Sequence, residues 1–430
     1  MRNFLRRIFA SFSLLLALAL VGSACTITIG PYDDTGGTEP QKTLALPDPQ
    51  GESGNEQPLD AAQQARKEEA DWHITNVVYK GGKILYTIQL PSGDILDFIS
   101  RDTLPAVELP TLPFALEDLV LPEGVELGLT ELEQLPELTE LIANAVPYRR
   151  PTFWPYILGE TDATSIEDYL DRYQEGGDPS GTKRLYAGLV SMQPNYGVSG
   201  FMNQFRPEVA DEGFSLLELS VSCPATGPVQ EQIGIVISVD KFNGFGDEPR
   251  LHVEYANIKN GKVKHRWDEM DGAFVANPGR LYHPGQKVAV SELGGAQIEH
   301  HMAIFQMAWG DWWITYNGWL LGYYPASLFT MLNTGACKSS WYGEVFRKNT
   351  NNPNAIKIKM GSGKFPELGT PNVAYVRNPR YHDYFGAPLE PQDDWYMVPY
   401  APLCYGRAPL TNGILMIGGP GGFNPACQWP

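Results

Sequence analysis

The sequence predicts an all-β protein: an antiparallel β-sandwich over residues 183–430, preceded by a small N-terminal β-hairpin unit. Three observations carry that prediction. From Lys183 onward, short runs of β-branched, aromatic and leucine residues recur, separated by clusters of Gly, Asn, Asp and Pro. No helical period intervenes between those runs, as it would in a fold built from β-α-β units. Glycine (44 residues) and proline (35) are plentiful and aromatics make up 11%, which suits turns between strands better than a helical bundle.

In order, the chain opens with Arg2, Arg6 and Arg7, an apolar segment from Phe12 to Val21, and Gly22-Ser23-Ala24, the grammar of a secretion signal over residues 1–25. Cys25 follows at once. The arrangement resembles a bacterial lipoprotein signal with Cys25 as the lipidated residue and point of membrane anchoring. Gly22 stands where such signals usually carry Leu, and ordinary cleavage after Ala24 is the rival. Either route leads to an extracellular or cell-envelope location, where disulfides persist. No later apolar run approaches the roughly 20 residues needed to span a bilayer.

Residues 26–68 are polar and read as a disordered tether. In residues 69–182, Trp72 to Tyr79 and Ile84 to Leu90 predict two strands joined through Lys80-Gly81-Gly82-Lys83. A third, Ile95 to Ile99, follows the turn Pro91-Ser92-Gly93-Asp94. A Pro-rich connector comes next. Leu129 to Ala145 predicts one amphipathic helix, and Ser165 to Tyr173 a short helix capped by Ser165. Strands are then predicted at Arg184 to Gln193, Gly213 to Ser222, Gln232 to Asp240, Arg250 to Ile258, Gln297 to Trp309, Trp312 to Asn317, Trp341 to Phe346 and Val373 to Asn378.

Charge and cysteines narrow the function. A net charge of −18 repels phosphate, so nucleic acid is excluded as a partner. Apart from Cys25, the chain holds Cys223, Cys337, Cys404 and Cys427, which allow three pairings. Cys404–Cys427 closes a compact C-terminal loop, and Cys223–Cys337 follows by elimination. Adjacent His300 and His301, after Glu299, point to opposite faces of a strand and cannot readily chelate one ion, so neither metal nor cofactor is expected. Ser362 between two glycines lacks the strand–helix context of a nucleophile elbow. The glycines from Gly418 to Gly422 precede no helix and suggest no phosphate site.

The stretch Trp341-Tyr342-Gly343-Glu344-Val345 is an aromatic and β-branched run with one carboxylate. As a strand it puts Tyr342, Glu344 and Phe346 on one face. A carboxylate between aromatic neighbours is partly desolvated, which disfavours its charge and suits proton transfer in mild acid.

Three further blocks give the run a context. Met360-Gly361-Ser362-Gly363-Lys364-Phe365-Pro366 resembles the Met-Gly-Ser-Gly-x-Phe block of the neprosin family of secreted glutamic peptidases. Gly310-Asp311-Trp312-Trp313 through Leu321-Gly322-Tyr323-Tyr324-Pro325 is similar to its Trp-Trp and Gly-Tyr-Trp-Pro segment. Gly418 to Gly422 with Asn424-Pro425 and Cys427 resembles its terminal disulfide loop. The hairpin around Thr87 to Asp97 also looks like the family's activation peptide.

The resemblance implies a peptide or protein substrate, two catalytic carboxylates without metal, cleavage after proline, and a removable pro-region over residues 69–182 that inhibits its own enzyme. The self-processing cut is expected in acid between about Thr103 and Lys183. Glu344 matches one carboxylate, in a Trp-Gly-Gly-Glu-Val block from which only Tyr342 departs. The other lies in a Glu-x-Gly strand, and anchoring on Gly234 puts Gln232 at its place, with Glu231 the alternative.

Face parity favours Gln232. Ile233, Ile235, Ile237 and Val239 form the natural core side, which leaves Gln232 and Gly234 on the other. The expected dyad is Gln232/Glu344, similar to the Gln/Glu pair of the fungal eqolisins, with Glu344 as base then acid and the Gln232 amide on the oxyanion. Trp309, Trp312, Trp313, Trp319, Tyr323, Tyr324, Tyr342, Gly234 and Ser362 are the expected cleft residues. A catalytically silent, secreted surface-binding protein for peptide or glycan is the alternative.

Overall fold

The computed structural model describes residues 73–90, 92–112, 119–128, 130, 132, 133, 142–150, 184–347, 357–392, 401–424, 426 and 427, and the backbone alone of Gln134, of Lys183 and of short strands at 27–29, 42–44, 161–162 and 395–396. The signal segment, Cys25, most of the tether and the expected helix at 165–173 lie outside the described residues.

The principal strands, in chain order, are β1 (Ile84–Gln89), β2 (Ile95–Ser100), β3 (Val125–Leu127), β4 (Ala145–Arg149), β5 (Lys183–Ser191), β6 (Gly197–Asn203), β7 (Gly213–Cys223), β8 (Glu231–Asp240), β9 (Gly246–Lys259), β10 (Lys262–Trp267), β11 (Gln297–Gln306), β12 (Trp312–Tyr316), β13 (Trp319–Tyr324), β14 (Lys338–Arg347), β15 (Ala374–His382) and β16 (Ile414–Gly418). Two large sheets form the sandwich. An eight-stranded sheet runs β5-β14-β7-β8-β9-β10 between short edge strands at 395–396 and 161–162. A ten-stranded sheet contains β13-β12-β11-β6-β15-β16. The strands pair antiparallel, except that β3 adds parallel to β11.

Alternation explains which side of the eight-stranded sheet is core. Leu217, Leu219 and Val221 of β7, Ile233, Ile235 and Ile237 of β8, and Trp341 and Val345 of β14 are buried in the main cluster with Met302, Ile304, Trp312 and Ile314 of the opposite sheet. The even-numbered positions of these strands face away from that core. Cys223–Cys337 and Cys404–Cys427 are both formed, as expected. Cys223–Cys337 ties the end of β7 to the start of β14, two strands that pair along their length.

The N-terminal unit is a sheet in which β1 pairs β2 and β2 pairs β4. One expectation fails here. Ile74–Val78 is a wound π-helical turn rather than a strand, with the Tyr79 N–H bonded to the Ile74 carbonyl at 2.8 Å. Winding brings Ile74, Val78 and Tyr79 together into a cluster with Ile99, Val146 and Tyr148. A strand would have turned Tyr79 to the opposite side from Val78, so tertiary burial overrides β-propensity. The helix expected at Leu129 to Ala145 is also corrected where it is described. Leu132–Gln134 is a single 3₁₀ turn and Ala145 opens β4, because Pro147 and its neighbours pair with β2.

This unit is docked by its own contacts. Ile88, Leu96 and Phe98 join the main cluster. The Arg250 guanidinium donates to Asp94 at 2.6 and 3.1 Å, and Arg149 adds a bond at 3.2 Å. Burial pushes the Asp94 carboxyl up, but hydrogen bonds and charge from Arg250 and Arg149 hold it below its ordinary value.

Candidate active site

Paired residues on neighbouring strands share a face, so the ladder register maps the even face directly. Glu218 of β7 lies opposite Tyr342 of β14 and Val236 of β8. Leu216 lies opposite Glu344 and Ser238, and Gly234 opposite Ser220 and Glu254. Gln232, Gly234, Glu218, Glu254, Tyr342 and Glu344 therefore all project from one side of the sheet.

At one end of this face is Glu344, buried at 4% exposure and bonded to the Arg184 guanidinium of β5. Arg184 in turn lies over the rings of Phe214 and Phe346, 5.4 and 5.1 Å from their centroids. The pair sits in an apolar cluster that includes Leu216, Val236 and Tyr342. A cation in contact favours the ionised carboxylate, and a guanidinium stacked on rings is held at low conformational cost.

At the other end three strands contribute to one knot. The Gln232 amide donates to Glu218 Oε1 at 3.1 Å and to Glu254 Oε1 at 3.0 Å. His265 Nε2 lies 2.9 Å from the other Glu254 oxygen. The carboxylates converge over Gly234, where an added Cβ would meet Glu218 Oε1 at 2.8 Å and Glu254 Cγ at 2.9 Å. Only glycine leaves them room. Burial first, and then the Glu254 charge, push the Glu218 carboxyl well above its ordinary value, against a hydrogen bond from Tyr342. Glu218 thus keeps its proton where an exposed glutamate would have lost it.

The structure does not bring the expected dyad together. Gln232 lies six residues along β8 from Ser238, whose row holds Glu344. At about 3.3 Å per residue their backbones are roughly 20 Å apart along the sheet, although the Gln232 side chain reaches back as far as Glu218. The Gln232 amide is committed to two carboxylates, so it cannot serve an oxyanion at Glu344.

Glu231 is on the core side, as parity predicted, and is fully engaged. Its oxygens accept from the backbone N–H groups of Thr330 (2.7 Å), Met331 (2.8 Å) and Leu332 (2.8 Å), and from the Thr330 hydroxyl (2.6 Å). It clamps a loop.

The expected aromatic cleft is corrected as well. Trp312 and Tyr324 are fully buried in the sandwich core, Trp319 packs against that core, and Trp313 stacks on Tyr323 at 4.9 Å. All belong to β12 and β13 of the ten-stranded sheet, as the buried Trp-Trp pair and its alternation require. Trp309 is half-exposed and bonds Asp311 within its own turn. Ser362 donates to the Asn372 carbonyl at 2.7 Å and so stabilises its loop. Of the predicted aromatics, only Tyr342 shares the face of Glu344.

Sequence reading missed Glu218, Glu254, His265 and Arg184. For Glu218 the signal was present: Leu217, Leu219 and Val221 alternate with it, and the parity test applied to Gln232 would have placed it on the same face. Glu254 and Arg184 depend on cross-strand register, which a single sequence does not reveal.

Residues 212–420 match the family model described as Neprosin. Similar solved structures include Scytalido-glutamic peptidase with a peptide-based transition-state analogue, at 8% identity and a TM-score of 0.30 over 55% of this chain and 98% of that one. SCP-B, a member of the eqolisin family of peptidases, in complex with a tripeptide, matches at 7% identity and a TM-score of 0.28 over 55% and 98%. The kappa-carrageenase of Pseudoalteromonas carrageenovora with an oligosaccharide matches at 11% and 0.20 over 38% and 54%. With such low TM-scores, the assignment rests on the family match and on the motif blocks that it spans. The chain carries a neprosin-family domain over residues 212–420.

Proposed function

We propose that the protein is a metal-independent, acid-active peptidase of the glutamic type, cutting peptide bonds laid across the even face of the eight-stranded sheet. The family match supports peptidase activity in general, and the two disulfides suit an extracellular setting. One observation carries the finer reading. Glu344 touches a cation, while Glu218, its diagonal neighbour on the next strand, is buried beside a second carboxylate. Diagonal positions on paired strands are about 7–8 Å apart. A carboxylate beside a cation suits the base, and a carboxyl raised by burial beside a second carboxylate suits the acid.

In this reading Glu344 takes a proton from water, whose oxygen attacks the carbonyl carbon. The Arg184 guanidinium, held against Glu344, is the donor for the developing oxyanion in this reading. The C–N bond then breaks as Glu218 gives its proton to the leaving nitrogen. The proton held by Glu344 returns to Glu218 through solvent to reset the pair. Raising pH strips Glu218 of its proton, so activity falls toward alkaline pH.

Both carboxylates are buried in the full-length chain, which fits a latent precursor. Asp94 of the N-terminal unit occupies Arg250 on this same face, and removal of residues before about 183 is the proposed activation step. The segment that would hold the cut lies largely outside the described residues. Cleavage after proline rests on the resemblance alone.

A mass-spectrometric digest of denatured protein at several pH values tests the reading, with wild type beside Glu344→Gln and with chelator added. Wild-type cutting in acid, lost in Glu344→Gln and indifferent to chelator, is the expected result, and fragment ends then give the specificity. A protein inert at every pH even after its N-terminal unit is removed would instead be a silent peptide- or glycan-binding protein.

A further inference from the structure

The Glu344–Arg184 end of the face uses two side chains, whereas the Glu218 end holds four, and the proposed chemistry employs only one of them. We propose that Glu254 is a positioning residue for Glu218: held over Gly234 by Gln232 and His265, its carboxylate keeps a proton on Glu218, where a leaving nitrogen can take it. This deepens the peptidase reading and rests on it.

The geometry makes the arrangement specific. Two carboxylates on strands β7 and β9 can meet only because the strand between them, β8, carries no side chain at residue 234. One amide, Gln232, donates a hydrogen to each, and so fixes which oxygens face one another. The far oxygen of Glu254 is held by His265 at 2.9 Å. Anchored in this way, Glu254 cannot swing to solvent to relieve its repulsion with Glu218. The remaining option is for one carboxyl to stay protonated, and two interacting groups then titrate as a pair.

Burial assigns the proton. Glu218 takes a hydrogen bond from Tyr342, has no ion pair among the described residues, and is pushed up first by burial and then by Glu254. Glu254 has His265 in contact. The other charged or titratable groups facing Glu218 are His252 on β9, Arg184 on β5 and Glu344 on β14. His252 is tied to Asp268 at 2.9 Å, and the last two bond each other.

Infrared difference titration of the full chain tests the proposal without needing activity. A protonated carboxyl shows a C=O stretch that a carboxylate lacks. Wild type should show such a band persisting above the ordinary glutamate range, and Glu218→Gln should remove it. Glu254→Gln, which keeps shape but removes charge, should move the band's midpoint down by about one pH unit or more. Gln232→Met, which removes a donor to the ionised form, should move it up. In an active preparation the alkaline limb of kcat/KM should follow the band in both variants.

Opposite shifts distinguish a proton-holding arrangement from mere packing, and either variant is informative if the other fails to fold. An unchanged midpoint in Glu254→Gln, or shifts of the same sign in both, would overturn the proposal. Failure of the peptidase reading is separately visible. A chain that cuts no peptide at any pH but shows both shifts keeps the arrangement and loses the function, whereas a cutting enzyme with immobile midpoints does the reverse.

Discussion

Glu344 and Glu218 are the same residue type, equally buried, on neighbouring strands of one sheet face, yet their surroundings give them opposite chemistry. Glu344 meets a guanidinium held between two phenylalanine rings. Glu218 meets a second carboxylate and an amide. Burial penalises charge on both, and their partners differ: a cation offsets that penalty at Glu344, and a carboxylate adds to it at Glu218. In the proposed mechanism the face works as a site because it contains one of each.

The largest expected effect is at Arg184. Arg184→Met leaves Glu344 buried without its cation and should cost about 3–5 kcal/mol in denaturant unfolding at neutral pH. An unfolding free energy within error of wild type would show that the ion pair does not govern Glu344. Gly234→Ala drives a Cβ into both Glu218 and Glu254. It should cost about 1–3 kcal/mol and, by prising the carboxylates apart, lower the Glu218 titration midpoint.

Glu218→Gln sharpens the other side through stability. The folded state raises the Glu218 carboxyl above its ordinary value of 4.5. Its proton therefore stabilises the fold fully below about 4.5, and that contribution is lost as pH rises through the raised value. The glutamine variant cannot ionise and should be the more stable protein near pH 8, by about 1 kcal/mol or more, with the gap closing toward pH 4. Equal pH dependence in the two proteins would mean that Glu218 titrates normally.

Glu231→Gln should cost about 1–3 kcal/mol, through loss of charge on a carboxylate that takes four hydrogen bonds. It should leave the pH profile of cleavage untouched. Tyr342→Phe is the smallest change: without a donor, the Glu218 midpoint should rise by less than about one pH unit.

Much of the fold was legible because alternation is local. Ile233, Ile235, Ile237 and Val239 announce their core side without reference to any other strand, and the same parity correctly separated Gln232 from Glu231. The Trp-Trp and Tyr-Tyr segments were legible as strands but not as to which sheet they join, and so their rings were expected in a cleft that they do not line. The Gln232/Glu344 pairing failed for a related reason. Each residue's face was readable, but distance along the face depends on register between β7, β8 and β14, which sequence spacing does not report. The turn at Ile74–Val78 was misread because its conformation is set by burial against Ile99, Val146 and Tyr148, residues far along the chain.

In the proposed mechanism Glu344 takes the proton of the attacking water and Glu218 supplies the one for the leaving nitrogen. The most direct measurement is the rate of peptide cleavage against pH for activated wild type and Glu218→Gln, with Glu231→Gln as control. The expected result is wild-type cleavage that falls as pH rises, a loss of about 100-fold or more in Glu218→Gln in acid that narrows as pH rises, and an unaltered profile in Glu231→Gln. Wild-type rates and an unshifted profile in Glu218→Gln would contradict it.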